Sequence, residues 1–443
     1  MEVNKETLPK GWTIAKFEDL LDYIQPTNYI VKSTDYKDTY PTPVLTAGKS
    51  FIKGYTNETD GIFTKLPTII FDDFTTATQF VNFPFKVKSS AMKILQPTCD
   101  LVNIKLAYYY MQTIHLKGET HKRFWISEYS QIPVPLAPLN EQKRILAKLE
   151  QLLTDLDRGI EYLETTKKQL KVYRHAVLKW AFEGNWEIKP LGKVAIVKRG
   201  KSKHRPRNAP ELFGGKYPFI QTGDVRAANG RVVKEYTETY SEFGLKQSKL
   251  WPKGTLCLTI AANIADTAFL GFDACFPDSV VGITSDPNVL NLDYVNFYIQ
   301  KIKQEIEGKA SATAQKNINV EFLEALEIPV PNPIQQVKIV HDIESRLSVC
   351  EKIEETIESS LQQAEALRLS IIKKAFEGKL LPQDPNDEPA EKLLERIRTL
   401  RQSSAKLTSR AQGKQGKDKP EKKEKVKVEK KVKTKSKLMK EKV

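Results

Sequence analysis

The sequence predicts an α+β chain with a pseudo-twofold repeat: two mixed α/β domains, two long heptad-patterned helices separating them, and a disordered basic tail. Three observations predict it: a long internal duplication, an apolar seam within each copy, and a shift to lysine-rich composition near the end. Ile132-Pro-Val-Pro135, a heptad stretch and Ala181-Phe-Glu-Gly184 recur as Ile328-Pro-Val-Pro331, more heptads and Ala375-Phe-Glu-Gly378. From Ile145/Ile339 to Gly184/Gly378 the copies align without a gap, 194 residues apart. A repeat this long is one structural unit used twice. Two copies make a pseudo-dimer, which suits a two-part partner such as duplex DNA with two half-sites.

The duplication sets the order of elements. Residues 1–138 read as a first mixed domain, with β-type runs at Thr68-Ile-Ile-Phe71 and Val81-Asn-Phe-Pro-Phe-Lys-Val87. Turn signals stand at Asn57-Glu-Thr and Asp60-Gly61. Residues 139–184 hold the first long helix. Residues 185–331 are a second mixed domain, where Ala228-Asn-Gly-Arg231 predicts a tight hairpin turn and Gly254-Thr-Leu-Cys-Leu-Thr-Ile-Ala261 a buried strand. Residues 332–403 hold the second long helix, a turn-rich stretch from Leu380, and a short helix from Ala390 to about Arg401. Residues 404–443 have almost no large apolar side chains, so they are expected to be disordered.

The heptads are regular. Leu149, Leu156, Leu163, Leu170 and Val177 fall at seven-residue steps, with Leu153 and Ile160 at intermediate positions. In the second copy Ile343, Cys350, Ile357, Ala364 and Ile371 take these steps, with Leu347 and Leu361 between them. A seam recurring every 3.5 residues winds helices into a coiled coil. About 40 residues at 1.5 Å each give a rod of roughly 60 Å, too long for packing within one small domain. Lys167, Arg174, Glu354 and Arg368 interrupt the intermediate seam positions and can fix register. If the copies pair antiparallel, Lys167 or Arg174 meets Glu354.

Composition narrows the class. The length of 443 residues suits two or three domains. Cys99, Cys257, Cys275 and Cys350 are scattered without a Cys-x-x-Cys pair, which argues against a zinc site and a secreted disulfide framework. Met-Glu-Val-Asn-Lys-Glu at the start has no apolar signal core, and no run of about 18 apolar residues spans a membrane, so a cytoplasmic protein is expected. The net charge is +15, but residues 404–443 carry 16 Lys and Arg against 5 Asp and Glu. The body is therefore only weakly basic. The tail either raises non-specific DNA affinity through counterion release or merely solubilises the chain.

Catalytic patterns are missing. Gly48-Lys49-Ser50 and Gly200-Lys201-Ser202 look like ends of phosphate loops, yet Pro43 and Ala195 stand where the first glycine belongs. No Asn/Asp-Pro-Pro-Tyr/Phe tetrad and no glycine-rich strand-to-helix turn marks a methyltransferase. The histidines at 115, 121, 175, 204 and 341 lack metal-ligand spacing. Asp72-Asp73 is a lone acidic pair without the further carboxylate or lysine that a nuclease needs.

Polar clusters suited to DNA are present. Lys198-Arg-Gly-Lys-Ser-Lys-His-Arg-Pro-Arg207 gathers cations without an acid, and its glycine and proline keep it a loop. Lys201, Lys203, His204, Arg205 and Arg207 are its candidate contacts. Gln221, Thr222 and Asp224 follow a strand, and Gln315, Lys316 and Asn317 lie in a late Gly/Ala/Ser loop. The first domain offers Lys49, Ser50, Lys53, Tyr55 and Asn57, then Thr75 and Thr76. Lys86, Lys88 and Ser89 at a strand end, and Lys122 and Arg123, complete its set. Asn and Gln read adenine, and Lys and Arg read guanine, by paired hydrogen bonds. On these residues alone two other classes stay open: an enzyme with a degenerate motif, and a coiled-coil scaffold that does not read DNA.

With repeat, heptads and basic loops in place, the chain resembles specificity subunits of type I restriction–modification systems. The resemblance covers nearly everything before the tail. It rests on Phe124-Trp-Ile-Ser-Glu-Tyr-Ser-Gln-Ile-Pro-Val-Pro-Leu-Ala-Pro-Leu-Asn-Glu-Gln-Lys-Arg-Ile145, Ala181-Phe-Glu-Gly184, Gly308-Lys-Ala-Ser-Ala-Thr-Ala-Gln-Lys-Asn-Ile-Asn319 and Lys373-Lys-Ala-Phe-Glu-Gly-Lys-Leu-Leu-Pro-Gln-Asp-Pro-Asn-Asp-Glu-Pro-Ala390. The lysine-rich extension departs from the pattern. The resemblance implies that each mixed segment is a target recognition domain for one half of a bipartite, asymmetric site. It implies that the long helices pair antiparallel as a spacer. It implies that two modification subunits carrying S-adenosylmethionine flip and methylate adenine at N6. Restriction subunits, where present, add ATP and Mg chemistry. The chain itself is then non-catalytic, binds double-stranded DNA and no cofactor, and is not a membrane protein.

Overall fold

The computed structural model describes residues 6, 8–48, 50–114, 116, 123–261, 263–311 and 318–415. The chain divides into two compact units, one built from residues up to Asp155 and from Ala366 on, the other from Leu156–Glu365. The long helices run Leu139–Ala181 and Pro333–Phe376, so each unit takes a piece of both.

In the first unit a four-stranded antiparallel sheet has the order Leu21–Ile24, Met92–Pro97, Thr68–Asp72, Thr78–Val81. Strand Thr68–Asp72 is buried on both faces: Ile69 and Phe71 turn to one apolar cluster, Ile70 to another. A smaller sheet places Thr42–Leu45 between Ile52–Thr56 and Lys86–Val87. The run expected over 81–87 is thus two strands in two sheets, because Pro84 can neither donate to a ladder nor continue one. Thr13–Lys16 pairs antiparallel with Pro133–Leu136, the first Ile-Pro-Val-Pro copy. Prolines fit there because the ribbon has only two strands. The larger core joins Phe17, Phe71, Tyr110, Trp125 and Tyr129 to Leu149, Leu153 and Ile372 from the long helices.

The second unit repeats this frame. Its sheet runs Ile196–Arg199, Val280–Thr284, Leu256–Thr259, Thr267–Leu270, then Val232–Val233 in parallel at the edge. The first four strands follow the topological order of the first unit. Ile188–Pro190 pairs with Glu327–Pro329, the second Ile-Pro-Val-Pro copy. A buried tyrosine hydroxyl donates to each copy: Tyr110 to the Pro133 carbonyl at 3.0 Å, Tyr294 to that of Pro329 at 2.9 Å. The first turn of each long helix carries a glutamine, Gln142 or Gln336, whose amide donates at 2.8 Å to the carbonyl of Ala137 or Pro331. Inserted in the second unit is a ribbon of Phe213–Phe219 and Glu238–Tyr240. Helix Leu292–Ser311 buries Val295, Ile299, Ile302 and Ile306 along one stripe.

The Asn229-Gly230 pair ends a helix and is not a hairpin turn. Gln221 and Asp224 cap Thr222–Ala228, and Asn229 closes it in the left-handed conformation, with φ of 47° and Gly230 at 79°. The same dihedrals serve a type I′ turn and a helix C-terminus, so the dipeptide alone does not distinguish them.

The long helices pair antiparallel. In the second unit Leu170, Cys350 and Ile357 form a buried seam with Leu163 and Leu361 against it, while Val177, Ile343 and Leu347 enter that unit's core. Arg174 reaches Glu354 at 3.2 Å and Lys167 reaches Glu358 at 2.9 Å, so numbering runs in opposite directions. Leu156 is half-buried. In the first unit Ile372, at 2% exposure, is buried in the larger core, and the half-buried Ile371 packs against the same cluster.

The last helix extends from Ala390 to Gln415, well past Arg401 and into the segment expected to be disordered. Residues 402–412 are mostly Ala, Leu, Lys, Arg, Gln and Ser, which tolerate a helix even without apolar patterning. Residues 416–443 lie outside the described ones. Leu393, Leu394 and Ile397 bury in the first core. Arg398 grips Asp19 through two hydrogen bonds of 2.9 and 3.0 Å, and Arg401 reaches Asp22 at 2.7 Å.

Burial pushes the Asp19 carboxyl up, but hydrogen bonds from Arg398 and the Lys16 amide outweigh it and hold the pKa below its usual value. A carboxylate with a lowered pKa stabilises the fold above its unfolded pKa, and that contribution is lost as pH falls through the folded value. Asp19→Asn is expected to cost about 1 kcal/mol near neutral pH and progressively less on acidification. Denaturant unfolding of both proteins across pH checks this, and a gap that stays constant into acid would refute it. Ile357→Ala, deep in the seam, is expected to cost about 2–4 kcal/mol in the same measurement.

Candidate nucleic-acid interface

In the first unit the candidates gather at two places. Leu45 ends one strand of the small sheet, and its carbonyl accepts from the Lys88 amide at 3.1 Å. Ser50, Lys88 and Ser89 therefore share one end of that sheet, with Lys53 and Tyr55 along its edge strand. Asn57 lies past the opposite end, because Thr56 pairs with Thr42. Lys49 and Lys122 lie outside the described residues. Lys86 is removed from the set: at 1% exposure it is sealed against Glu58 at 3.1 Å and the Asp60 carbonyl at 2.6 Å.

The second place is organised by Asp73, which is a structural hub and not a catalytic acid. Its amide donates to the Ala91 carbonyl, and its carbonyl accepts from the Phe124 amide, both at 3.0 Å. Its carboxylate accepts from the Trp125 amide at 2.8 Å and faces Lys93 at 3.5 Å. Asp72 accepts from the amides of Phe74 and Thr75 at 2.9 and 3.0 Å. Thr75 and Thr76 thus sit on a hairpin tip, beside Arg123 at the start of the short helix Phe124–Ser127.

In the second unit the basic loop is a built structure. Gly200 opens it where a Cβ would collide with the carbonyl oxygens of Phe276 and Pro277. Close packing, not phosphate binding, explains this glycine. The amides of Lys203 and His204 both donate to Gln247 Oε1, at 2.6 and 3.1 Å. Ser248 donates to the Lys201 carbonyl at 2.9 Å. Arg205 spends Nη1 on the carbonyls of Ser202 and His204, and Arg207 reaches Asp278 at 2.7 Å. The Lys201 and Lys203 side chains are exposed.

Gln221, Thr222 and Asp224 stand at the start of a short helix. Asp224 accepts from the Gln221 amide at 2.7 Å, and the Gln221 side chain donates to Glu238 at 2.6 Å. Their polar groups are mostly committed within the protein, which leaves Thr222 the freer of the set. Gln315, Lys316 and Asn317 lie outside the described residues. Lys249 is a cation that sequence reasoning passed over. Its ammonium lies 3.6 Å from the centre of the Trp251 ring, and partial burial, then Lys198 and Lys201, lower its pKa. Lys246, Lys249 and Lys253 around Trp251 were the available signal. Positive charge concentrated this way attracts phosphate.

All four cysteines are free thiols, three of them buried, and burial pushes the Cys257 thiol up. Among the described residues no helix is long and apolar enough to cross a membrane.

Two domains of one frame, each carrying its own insert and each packed on both members of an antiparallel helix pair, define a duplicated recognition protein. The chain belongs to the family described as the type I restriction modification DNA specificity domain, whose sequence model matches residues 9–171 and 183–363. It is a specificity subunit, the non-catalytic DNA-recognition component of such a system. It is 37% identical over 365 residues to the type I restriction enzyme EcoR124I/EcoR124II specificity subunit of Escherichia coli, covering 76% of this chain and 85% of the relative. Identity to the StySPI specificity subunit of Salmonella potsdam is 25%, covering 64% of this chain and 67% of that protein. Among solved structures, the HsdS subunit from Thermoanaerobacter tengcongensis shares the fold with a TM-score of 0.51 at 16% identity, over 84% of this chain and 98% of its own. A chain from a study of complex assembly and conformational transition of the type I R-M system gives 0.67 at 16%, over 84% and 99%.

Gln247→Ala should free the basic loop. Hydrogen exchange at the Lys203 and His204 amides is expected to speed up roughly tenfold or more. Unchanged protection there would show that Gln247 does not hold the loop.

Proposed function

We propose that this subunit reads a bipartite, asymmetric DNA site, with residues 1–138 recognising one half and residues 185–331 the other. The helices in 139–184 and 332–403 act as the spacer that fixes the distance between half-sites. Two modification subunits carrying S-adenosylmethionine are the partners, and the outcome is N6 methylation of adenine. Restriction subunits, where present, bring ATP and Mg and cleave unmodified DNA. The complex works in the cytoplasm.

One observation carries this reading: two domains share a strand order and its anchoring bonds, yet carry unlike inserts. Identical frames suit equivalent positions on a duplex, and unlike inserts suit unlike half-sites. The name of the 37% identical relative, a type I restriction enzyme specificity subunit, supports the same assignment. In this reading Lys201, Lys203 and Lys249 meet phosphates, and Ser50, Lys88 and Arg123 contribute on the first domain. Arg205 and Arg207 shape the loop and add charge to it.

Phosphate contacts set a salt dependence of about 0.9 in slope for each neutralised charge. Lys201→Ala with Lys203→Ala is therefore expected to weaken DNA binding and reduce the slope by roughly two. Arg207→Ala should shift it by less, since Asp278 already holds that guanidinium. Titrations at several salt concentrations measure this, and an unchanged slope in the double variant would remove the loop from the interface. Lengthening both helices by one heptad should lengthen the unspecified gap in the methylated motif. Methylation mapped at the original gap would end the spacer reading.

A further inference from the structure

The two recognition domains share no evident sequence motif at their central hairpins, yet the hairpins are held by the same four backbone hydrogen bonds. Asp72 N–H donates to Ala77 and Thr259 N–H to Asp266, both at 2.9 Å. Thr76 N–H donates to Asp72 and Ala265 N–H to Thr259, again at 2.9 Å. Asp73 N–H donates to Ala91 and Ile260 N–H to Ser279, both at 3.0 Å. Phe124 N–H reaches the Asp73 carbonyl at 3.0 Å, and Ile318 N–H reaches that of Ile260 at 3.1 Å. A side chain stiffens each turn from inside: the Asp72 carboxylate in one, and in the other the Thr259 hydroxyl, which accepts from the Asp266 amide at 3.1 Å.

Each tip also holds one non-glycine residue in the left-handed region, Thr76 at φ 58° and Ala265 at 61°. That conformation costs about 1 kcal/mol or more and persists only where the surroundings over-determine it. What the frame presents differs completely. Between Asp73 and Thr76 stand two residues, Phe74 and Thr75; between Ile260 and Ala265 stand four, 261–264. Phe74 is 44% exposed, so its ring is open to a partner. On the other tip Asn263 accepts from Arg226 Nη1 at 2.8 Å, so a guanidinium is fixed beside an amide. Arg123 directly precedes Phe124 in the chain, and Asn317 directly precedes Ile318, so a polar segment leads into both anchors.

We infer that this hairpin tip is the base-reading element of each recognition domain, with Phe74 and Thr75 serving the first and Asn263 with Arg226 the second. The inference rests on the proposed bipartite reading. Phe74 offers an apolar face to a thymine methyl group and Thr75 a hydroxyl to a base edge. The Asn263 amide suits adenine, and the remaining Arg226 donors suit guanine. Rigid backbone anchors with a short variable tip allow base choice to change without disturbing the sheet.

The test uses the full chain with its modification subunits. Methylation mapping of the wild type supplies the cognate duplex, and competition binding compares it with duplexes scrambled in one half or the other. The Phe74→Ala, Thr75→Ala double variant is expected to lose about tenfold in discrimination at one half-site and none at the other. Asn263→Ala is expected to do the same at the opposite half. Salt slope and thermal unfolding should stay at wild-type values, and Phe74→Leu should retain part of the discrimination. Equal weakening on every duplex, or full discrimination in both variants of a selective wild type, would overturn the inference. A wild-type complex without any bipartite preference would instead refute the proposed function on which the inference stands.

Discussion

The packing of both long helices into both cores is the constraint on which the structure depends. Leu149, Leu153 and Ile372 complete the core of the first unit, and Val177, Ile343 and Leu347 that of the second. The first core closes only when the chain returns to it from Ala366 on, whereas the second lies within the single stretch Leu156–Glu365. The antiparallel pairing satisfies both at once, because it brings the start of one helix beside the end of the other. Ion pairs such as Arg174 with Glu354 then select register more than they add stability, since partly exposed pairs contribute little.

On this support the domains repeat a frame and vary an insert. The repeated parts are buried and hydrogen-bonded: Tyr110 and Tyr294 on the proline strands, Gln142 and Gln336 at the helix starts, and the four backbone bonds around each central hairpin. The inserts are the small sheet around Thr42–Leu45 in one domain and the ribbon with its basic loop in the other. A frame anchored mainly by backbone groups tolerates sequence change, which is why the hairpins match in geometry and not in residues.

Charge is used locally. The body is nearly neutral overall, so attraction for a polyanion must come from clusters such as Lys198, Lys201 and Lys249. Several cations that looked available are engaged within the protein. Lys86 is buried against Glu58, Arg207 faces Asp278, and Arg205 ties its own loop. Ordering such a loop beforehand reduces the entropy lost when DNA arrives. The acidic pair Asp72-Asp73 is likewise structural, capping a turn and collecting three segments.

The sequence by itself determined the duplication, the two long helices, their seam and their polar register positions. These are periodic signals carried by the residues themselves, and the Ile-Pro-Val-Pro and Ala-Phe-Glu-Gly copies repeat word for word. It also located the basic loop, since its charge density is a local property. Only the tertiary structure decided that Asn229-Gly230 ends a helix, that Ile372 is buried beside Ile371 in the first core, and that the last helix runs on to Gln415. It alone brought Asp73 to Phe124 and Ile260 to Ile318 and so revealed that unlike hairpins are equivalent. The physical reason is common to all of these. Helix periodicity is written in side-chain spacing, whereas turns, caps and anchors are settled by backbone hydrogen bonds between residues far apart in the chain.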